Sequence, residues 1–317
     1  MSDSIDRTCW CGSQTAHATG VFELDDGNSF SLVRCDGCGV SALFPQPSDE
    51  QLLSYYSAEY YGASRRKFIG PIAGIISLFQ TGRARAASRR TPQGGKVLDI
   101  GCGNGGFLIQ MKRRGFEAEG TEWTAPSAAR VPAQAGIKIH VGDLLSLNLS
   151  DQSYDLVTIW HVLEHVRKPY EMLMKIKRLL KPNGWLMLSL PNAESLQAQR
   201  FGIDWFHHDP PRHLFGFGPQ SVERLLNLTG FEIDTITSFS LEQNPFGYIQ
   251  SCLNSRRAPR DRLYQLLKGS REGRQAAEGS AVDLASFFLL LFPSIAITSV
   301  ESLTGRGATM TIQARAL

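Results

Sequence analysis

The sequence carries almost no excess of charge: 33 Lys and Arg stand against 30 Asp and Glu, a net +3 over 317 residues. That balance excludes a globally basic nucleic-acid binder. The opening stretch MSDSIDRTCW holds no apolar signal core, so the expectation is a cytoplasmic protein. No uncharged apolar run reaches the roughly 18 residues that span a bilayer. Internal repeats and low-complexity tracts are absent, which sets aside solenoids and disordered tails. Cysteine is scarce, at six, and in a cytoplasmic chain this favours a metal site or free thiols over a disulfide framework. What is present is ordinary for a folded chain of about two domains: 42% hydrophobic and 20% charged residues.

Composition divides the chain into five segments. Residues 1–45 hold four of the six cysteines, and residues 46–91 read as helical. From 92 to 245, strand-like runs (KVLDIG, FEAEGTE, IKIHVGD, YDLVTIW, WLMLSLPN, FEIDTITSF) alternate with helical patterns. Such alternation predicts an α/β fold with a parallel sheet and crossover helices. Residues 246–304 read as helical and partly very apolar, and 305–317 contain a final strand, ATMTIQARA. The order implies a helical insertion before the last strand.

Val97 to Gly106 is the most informative segment. An apolar strand runs into Gly101, Gly103, Gly105 and Gly106, and the apolar-periodic FLIQMKRRG follows. Glycines let the backbone turn sharply and approach a ligand at a helix N-terminus. Asp99 stands just before them, where it could meet a cationic ligand end. Glu122 closes the next strand-like run, about 20 residues on, where an acid holds ribose hydroxyls. Asp143 closes the third run at the same sheet edge.

This pattern resembles class I methyltransferases dependent on S-adenosylmethionine, and the match continues through YDLVTIWHVLEHVRKP, IKRLLKPNGWLMLSLPN and Gly230-Phe231. The resemblance implies a Rossmann-like, doubly wound seven-stranded sheet. It also implies that Asp99, Gly101, Gly103, Asn104 and Gly105 face the methionine part of S-adenosylmethionine. Glu122 would face the ribose and Asp143 the adenine amino group, with Trp160 in the same binding set.

A sulfonium methyl is already activated for displacement, so the protein must position the acceptor and, for a hydroxyl or carbon acid, remove a proton. Histidine suits that task. His161 and His165 follow the fourth strand; His207, His208 and His213 follow the fifth. Loops after the carboxyl ends of parallel strands converge on the ligand crevice, so all five are expected near the transferred methyl. His161 is expected to face the substrate, and His208 or His213 to act as general base. His161-Val162-Leu163-Glu164-His165 fits the H-x-x-E-H spacing of some zinc peptidases, but here it leaves a strand of a cofactor-binding sheet. It resembles more closely the E-x-x-E-H motif of ubiquinone-pathway O-methyltransferases, which is implicated in divalent metal binding, with His161 replacing the first glutamate. Trp205 to Leu214 resembles the W-x-H-x-D-x-P-R-H-L segment of bacterial methyltransferases of polysaccharide and secondary-metabolite pathways.

Cys9 and Cys11 form one close pair, Cys35 and Cys38 another, each followed by glycine. Two such pairs suit tetrahedral structural zinc, with a redox dithiol as the alternative. A zinc ribbon of this kind precedes the catalytic domain in certain sugar C-methyltransferases, which the Tyr55-Tyr56…Tyr60-Tyr61 segment also resembles.

Two apolar stretches have basic flanks: FIGPIAGIISLF, between Arg65-Arg66-Lys67 and Arg83, Arg85, Arg89 and Arg90, and LASFFLLLFPSIAITSV, after Arg256, Arg257, Arg260, Arg262, Lys268, Arg271 and Arg274. Pro71 and Pro293 interrupt them. They suit either a helical cap over the active site or peripheral contact with an anionic membrane at its inner face. Together these features predict a methyltransferase acting on a small or lipid-linked hydroxylated metabolite, sugar or quinone-like. The alternative is an RNA methyltransferase that uses the ribbon and basic patches for RNA.

Overall fold

The computed structural model describes residues 9–24, 26–55, 71–256, 260–268 and 280–317. Tyr56, Tyr60, Tyr61, Arg65, Arg66, Lys67, Arg257, Arg271 and Arg274 lie outside them. The chain divides into two compact units. One, the sheet unit, comprises residues 69–190, 225–236 and 311–317; the other, the cysteine unit, comprises 1–68, 191–224 and 237–310.

The sheet unit is built on strands β4 (Lys96–Ile100), β5 (Glu117–Glu122), β6 (Lys138–Val141), β7 (Tyr154–Trp160), β8 (Leu180–Pro191), β10 (Phe231–Thr237) and β11 (Thr309–Ala316). Their order across the seven-stranded sheet is β10-β11-β8-β7-β4-β5-β6. The pairs β4–β5, β4–β7, β5–β6 and β7–β8 are parallel. Chain order reverses at β4, so the crevice at its carboxyl end is the position where open α/β sheets bind ligands.

Burial follows position in the sheet. Val97 and Leu98 of β4 and Leu156, Val157 and Ile159 of β7 are fully buried, because a central parallel strand is covered on both faces. Edge strand β6, Lys-Ile-His-Val, has no fully buried residue. Helix α2 (Pro71–Ser88) lays Ala84 and Ala87 against Phe107, Leu108 and Met111 of α3 (Gly106–Arg113). Two small residues one helical turn apart let these helices approach closely. Helix α5 (Pro169–Leu179) opens with Pro at its first turn and carries Lys177 and Arg178 in its last, matching the helix dipole.

In the cysteine unit, β1 (Ala16–Glu23), β2 (Ser29–Cys35) and β3 (Ser41–Phe44) form an antiparallel meander around Phe22, Phe30 and Leu43. Its fourth strand, β9 (Phe215–Gly216), comes from the histidine-rich loop far along the chain. Helices α1 (Asp49–Tyr55), α6 (Leu196–Phe201), α8 (Asn244–Asn254), α9 (Arg262–Lys268) and α10 (Ser280–Leu303) complete the unit. Helix α7 (Pro219–Leu228) runs from one unit into the other. The helical insertion before the last strand is therefore α8 to α10. One expectation is corrected here: Pro293 does not interrupt the apolar run. It sits inside a continuous helix of 24 residues, and that helix is long and apolar enough to cross a membrane.

Candidate functional site

Where β4 ends, the backbone turns through Gly101 and Gly103 at φ +68° and +61°, a region that side chains rarely adopt. Gly101 also lies against Val162, which a Cβ would approach to 2.6 Å, whereas a Cβ on Gly103 would meet nothing within 4 Å. The space beside Gly103 is a cradle of bare backbone. The N–H of Gly101 and that of Cys102 both donate to the Thr121 carbonyl, at 3.0 and 3.1 Å. The N–H of Gly103 donates to Glu122 Oε1 at 2.5 Å. Asn104 Oδ1 accepts from the Gly106 N–H at 3.2 Å, and Gly105 caps α3 in the left-handed conformation. The glycine loop is thus tied to the carboxyl end of β5 at three consecutive residues.

Two acids are buried at these strand ends. Asp99 is 2% exposed and Glu122 9%. Thr158 Oγ1 donates to Asp99 Oδ1 at 2.6 Å. Burial nevertheless pushes the Asp99 carboxyl up to about 7; Thr158 and Arg83 pull it down and the charge of Glu122 pushes it further up. Burial raises Glu122 as well, against the Gly103 N–H and Arg130. Burial also raises Cys102, next to these acids, which keeps it a thiol. A cationic ligand with hydroxyl groups would compensate both carboxylates. Asp143 stands at the end of β6, exposed, joined to the pair through the Gly142 N–H on the Glu122 carbonyl at 2.9 Å.

At the tip of β7, Trp160 places its ring 5.0 Å from the Arg83 guanidinium and 5.6 Å from Phe107. Its buried Nε1 has no hydrogen-bond partner among the described residues. His161 follows in a left-handed conformation, φ +56°, its N–H bonded to the Ser189 carbonyl at 2.8 Å. A non-glycine residue held there marks a position fixed by its surroundings. His161 Nδ1 lies 3.4 Å from Oε1 of the buried Glu164, while Nε2 is buried without a hydrogen-bond partner among the described residues. His165 is half-buried in the 3-10 turn Leu163–His165. The sheet unit therefore gathers Asp99, Gly101, Gly103, Asn104, Gly105, Glu122, Trp160 and His161 around one loop. Sequence reading missed Thr158 and Arg83. Thr158 had a signal, as a polar residue inside the apolar strand YDLVTIW; Arg83 had none beyond its basic neighbourhood.

The other candidates belong to the cysteine unit. Cys9 and Cys38 sulfurs are 3.6 Å apart, as are those of Cys11 and Cys35, and all four lie within 4.8 Å. Zinc–sulfur bonds of about 2.3 Å in a tetrahedron put sulfurs about 3.8 Å apart, so the four thiols fit that ion. Gly12 and Gly39 close the two turns, donating to the carbonyls of Cys9 and Cys35 at 2.7 and 2.9 Å. Arg224 clamps the turns together through the carbonyls of Gly37 and Cys11, both at 3.2 Å.

His208 packs its ring on Phe22 and Trp205, with centroids 5.2 and 5.1 Å away. Burial there pushes its imidazolium down to about 3, helped by the charges of Arg260 and His213. His213 Nδ1 is 2.8 Å from the His207 carbonyl; a carbonyl only accepts, so the proton sits on Nδ1. His207, His208 and His213 line a cavity of about 20 Å³, room for one water.

A mostly parallel sheet of this order, with a glycine turn after its central strand and an acid at the next strand's end, is the class I fold of S-adenosylmethionine-dependent methyltransferases. The methyltransferase-domain family model matches residues 75–236, half of the chain, and the protein belongs to that family. A ubiquinone biosynthesis O-methyltransferase of Paracidovorax citrulli (strain AAC00-1) is 32% identical over 165 residues, 48% of this chain and 69% of that protein. An uncharacterized methyltransferase of Mycobacterium sp. (strain JLS) is 33% identical over 140 residues, 44% of this chain. The chain spans 55% of that relative's length. A solved structure of a candidate sarcosine dimethylglycine methyltransferase from Galdieria sulphuraria shares the fold, with a TM-score of 0.52 at 15% identity over 83% of this chain and 97% of that one.

Because the Asp99 carboxyl is raised on folding, the folded protein takes up a proton there between the ordinary carboxylate range and about 7. That contribution to stability is complete below the ordinary value and is lost as pH rises through 7. Thermal unfolding of the ligand-free protein is expected to show a midpoint that falls from about pH 5 to about pH 8, and Asp99→Asn to flatten the fall. A pH dependence unchanged by the substitution would contradict this account of Asp99.

Proposed function

We propose that the protein transfers a methyl group from S-adenosylmethionine to a small or lipid-linked hydroxylated metabolite, sugar or quinone-like. The observation that carries this reading is the pair of buried carboxylates, Asp99 and Glu122, at the glycine turn. The residues present fit the cofactor: bare backbone at Gly103, acids for its cationic and hydroxyl groups, and the buried Nε1 of Trp160. Asp99 and the loop would hold the methionine end, Glu122 the ribose and Asp143 the adenine. When bound, S-adenosylmethionine supplies an activated methyl carbon for in-line displacement.

The chain's own task is to orient the acceptor and remove its proton. His161 is the base best placed for it. Glu164 at Nδ1 favours the tautomer with the proton on that nitrogen, which leaves Nε2 as the acceptor. Nε2 takes the acceptor's hydroxyl proton as its oxygen attacks. His208, pushed down to about 3, is too weak a base for this role near neutrality. The ubiquinone O-methyltransferase relatives support a quinone-like acceptor. Zinc at Cys9, Cys11, Cys35 and Cys38 would be structural, since four thiolates leave no open position.

With labelled cofactor and a panel of catechol and sugar-hydroxyl acceptors, labelled product is expected. His161→Gln should lower its rate by about 10²–10⁴-fold while leaving cofactor affinity unchanged. Equal rates in both proteins would remove His161 as the base. Elemental analysis should find one zinc per chain, lost in Cys35→Ser; metal-free folded protein would overturn the zinc assignment.

A further inference from the structure

Helix α10 is inside out. Four of its polar residues face the cysteine unit: Asp283, Ser294, Thr298 and Glu301 are all buried. Arg262 donates to both carboxylate oxygens of Asp283, at 2.5 and 2.9 Å, and Gln197 Nε2 donates to Glu301 at 3.0 Å. Its largest apolar residues face away: Phe288 is 68% exposed, Leu289 77%, Phe292 78%, Val300 61% and Leu303 87%. At about 100° per residue, the buried polar positions fall in a sector of about 60°, and the exposed apolar ones in a sector of about 120° on the opposite side. A helix on a water-exposed surface has the reverse arrangement. Asp283 and Glu301 are the helix's only charged residues, and both are buried and paired. Its outward stripe is therefore uncharged along its whole length, beyond what scattered surface hydrophobics explain.

We infer that this face of α10 seats in the interfacial layer of an anionic lipid bilayer. The occupant is chosen by charge. Residues 255–279, which lead into α10, contain seven Arg and Lys against three Asp and Glu; with Arg262 held by Asp283 and Arg260 beside Asp204, five basic residues remain against three acids. Leu263 and Leu267 of α9 pack with Phe287, Leu290 and Leu291 of α10, so the first half of the helix lies beside α9. Anionic headgroups complement such a tract while acyl chains take the apolar stripe. The helix lies flat and does not span, because Asp283 near one end and Glu301 near the other both engage the unit. This inference is independent of the methyl-transfer reading, since it rests on α10 alone and needs no substrate.

Vesicle flotation of the full chain tests it. The protein should float with vesicles of phosphatidylcholine and phosphatidylglycerol, less with phosphatidylcholine alone, and less in high salt. The double variant Leu289→Glu, Phe292→Glu changes two outward-facing residues, so its circular dichroism should match the parent, and its partitioning should fall by about 100-fold. In Phe292→Trp, the new indole should be quenched by brominated acyl chains, a readout that stands even if the double variant fails to fold. No flotation with either vesicle, or no quenching, overturns the inference. So does a parent that dimerises without binding vesicles and becomes monomeric in the double variant, which assigns the face to a second copy.

Discussion

Two carboxylates are held out of water where the sheet reverses direction, and the local backbone is organised around them. Asp99, one residue before the end of the central strand, has one oxygen on the Thr158 hydroxyl, and Glu122 ends the neighbouring strand with one oxygen on the Gly103 N–H. Burial of both without a matched cation is costly, and the raised carboxyls show that the cost is not fully offset within the protein. A ligand carrying positive charge and hydroxyls removes it. The glycines are required by the same constraint: Gly101 must pass close to Val162, and Gly103 must leave its face open. Fold and chemistry therefore meet in the few residues between 99 and 122.

Much of this was legible because it is local. The apolar strand, the glycines and the acid about 20 residues on are encoded in a single contiguous stretch, and strand alternation gives the parallel sheet around them. The four cysteines were legible for the same reason, as two close pairs. Contributions from distant segments were not. Arg83 reaches the site from a helix that precedes the sheet, and Thr158 matters only because β7 pairs with β4. The strand that Phe215-Gly216 adds beside Ser41 and Ala42 could not be foreseen from either segment. His208 sits in a loop rich in polar groups, yet the aromatic rings of Phe22 and Trp205 enclose it. In α10, the sequence shows an apolar run with a proline, and a proline is expected to end such a run. Burial instead of periodicity decides which side of that helix faces inward.

The division of labour follows from the cofactor's chemistry. An activated methyl needs little from the protein beyond alignment and a proton acceptor. The chain accordingly supplies a glycine-turn cradle and a histidine, His161, whose backbone N–H is bonded to the Ser189 carbonyl and whose Nδ1 lies 3.4 Å from Glu164. The cysteine unit is a separate structural problem. Its small meander has a core of few large residues, and a bound metal would add the stability that so small a core lacks.

The central claim is that Asp99 and Glu122 hold an adenosyl sulfonium. Titration calorimetry of S-adenosylmethionine into the intact protein tests it most directly. One molecule per chain is expected, with affinity reduced by about 10–100-fold in Asp99→Asn and in Glu122→Gln, both of which keep side-chain size. Absence of binding to the parent protein, or equal affinity in all three, would contradict the account.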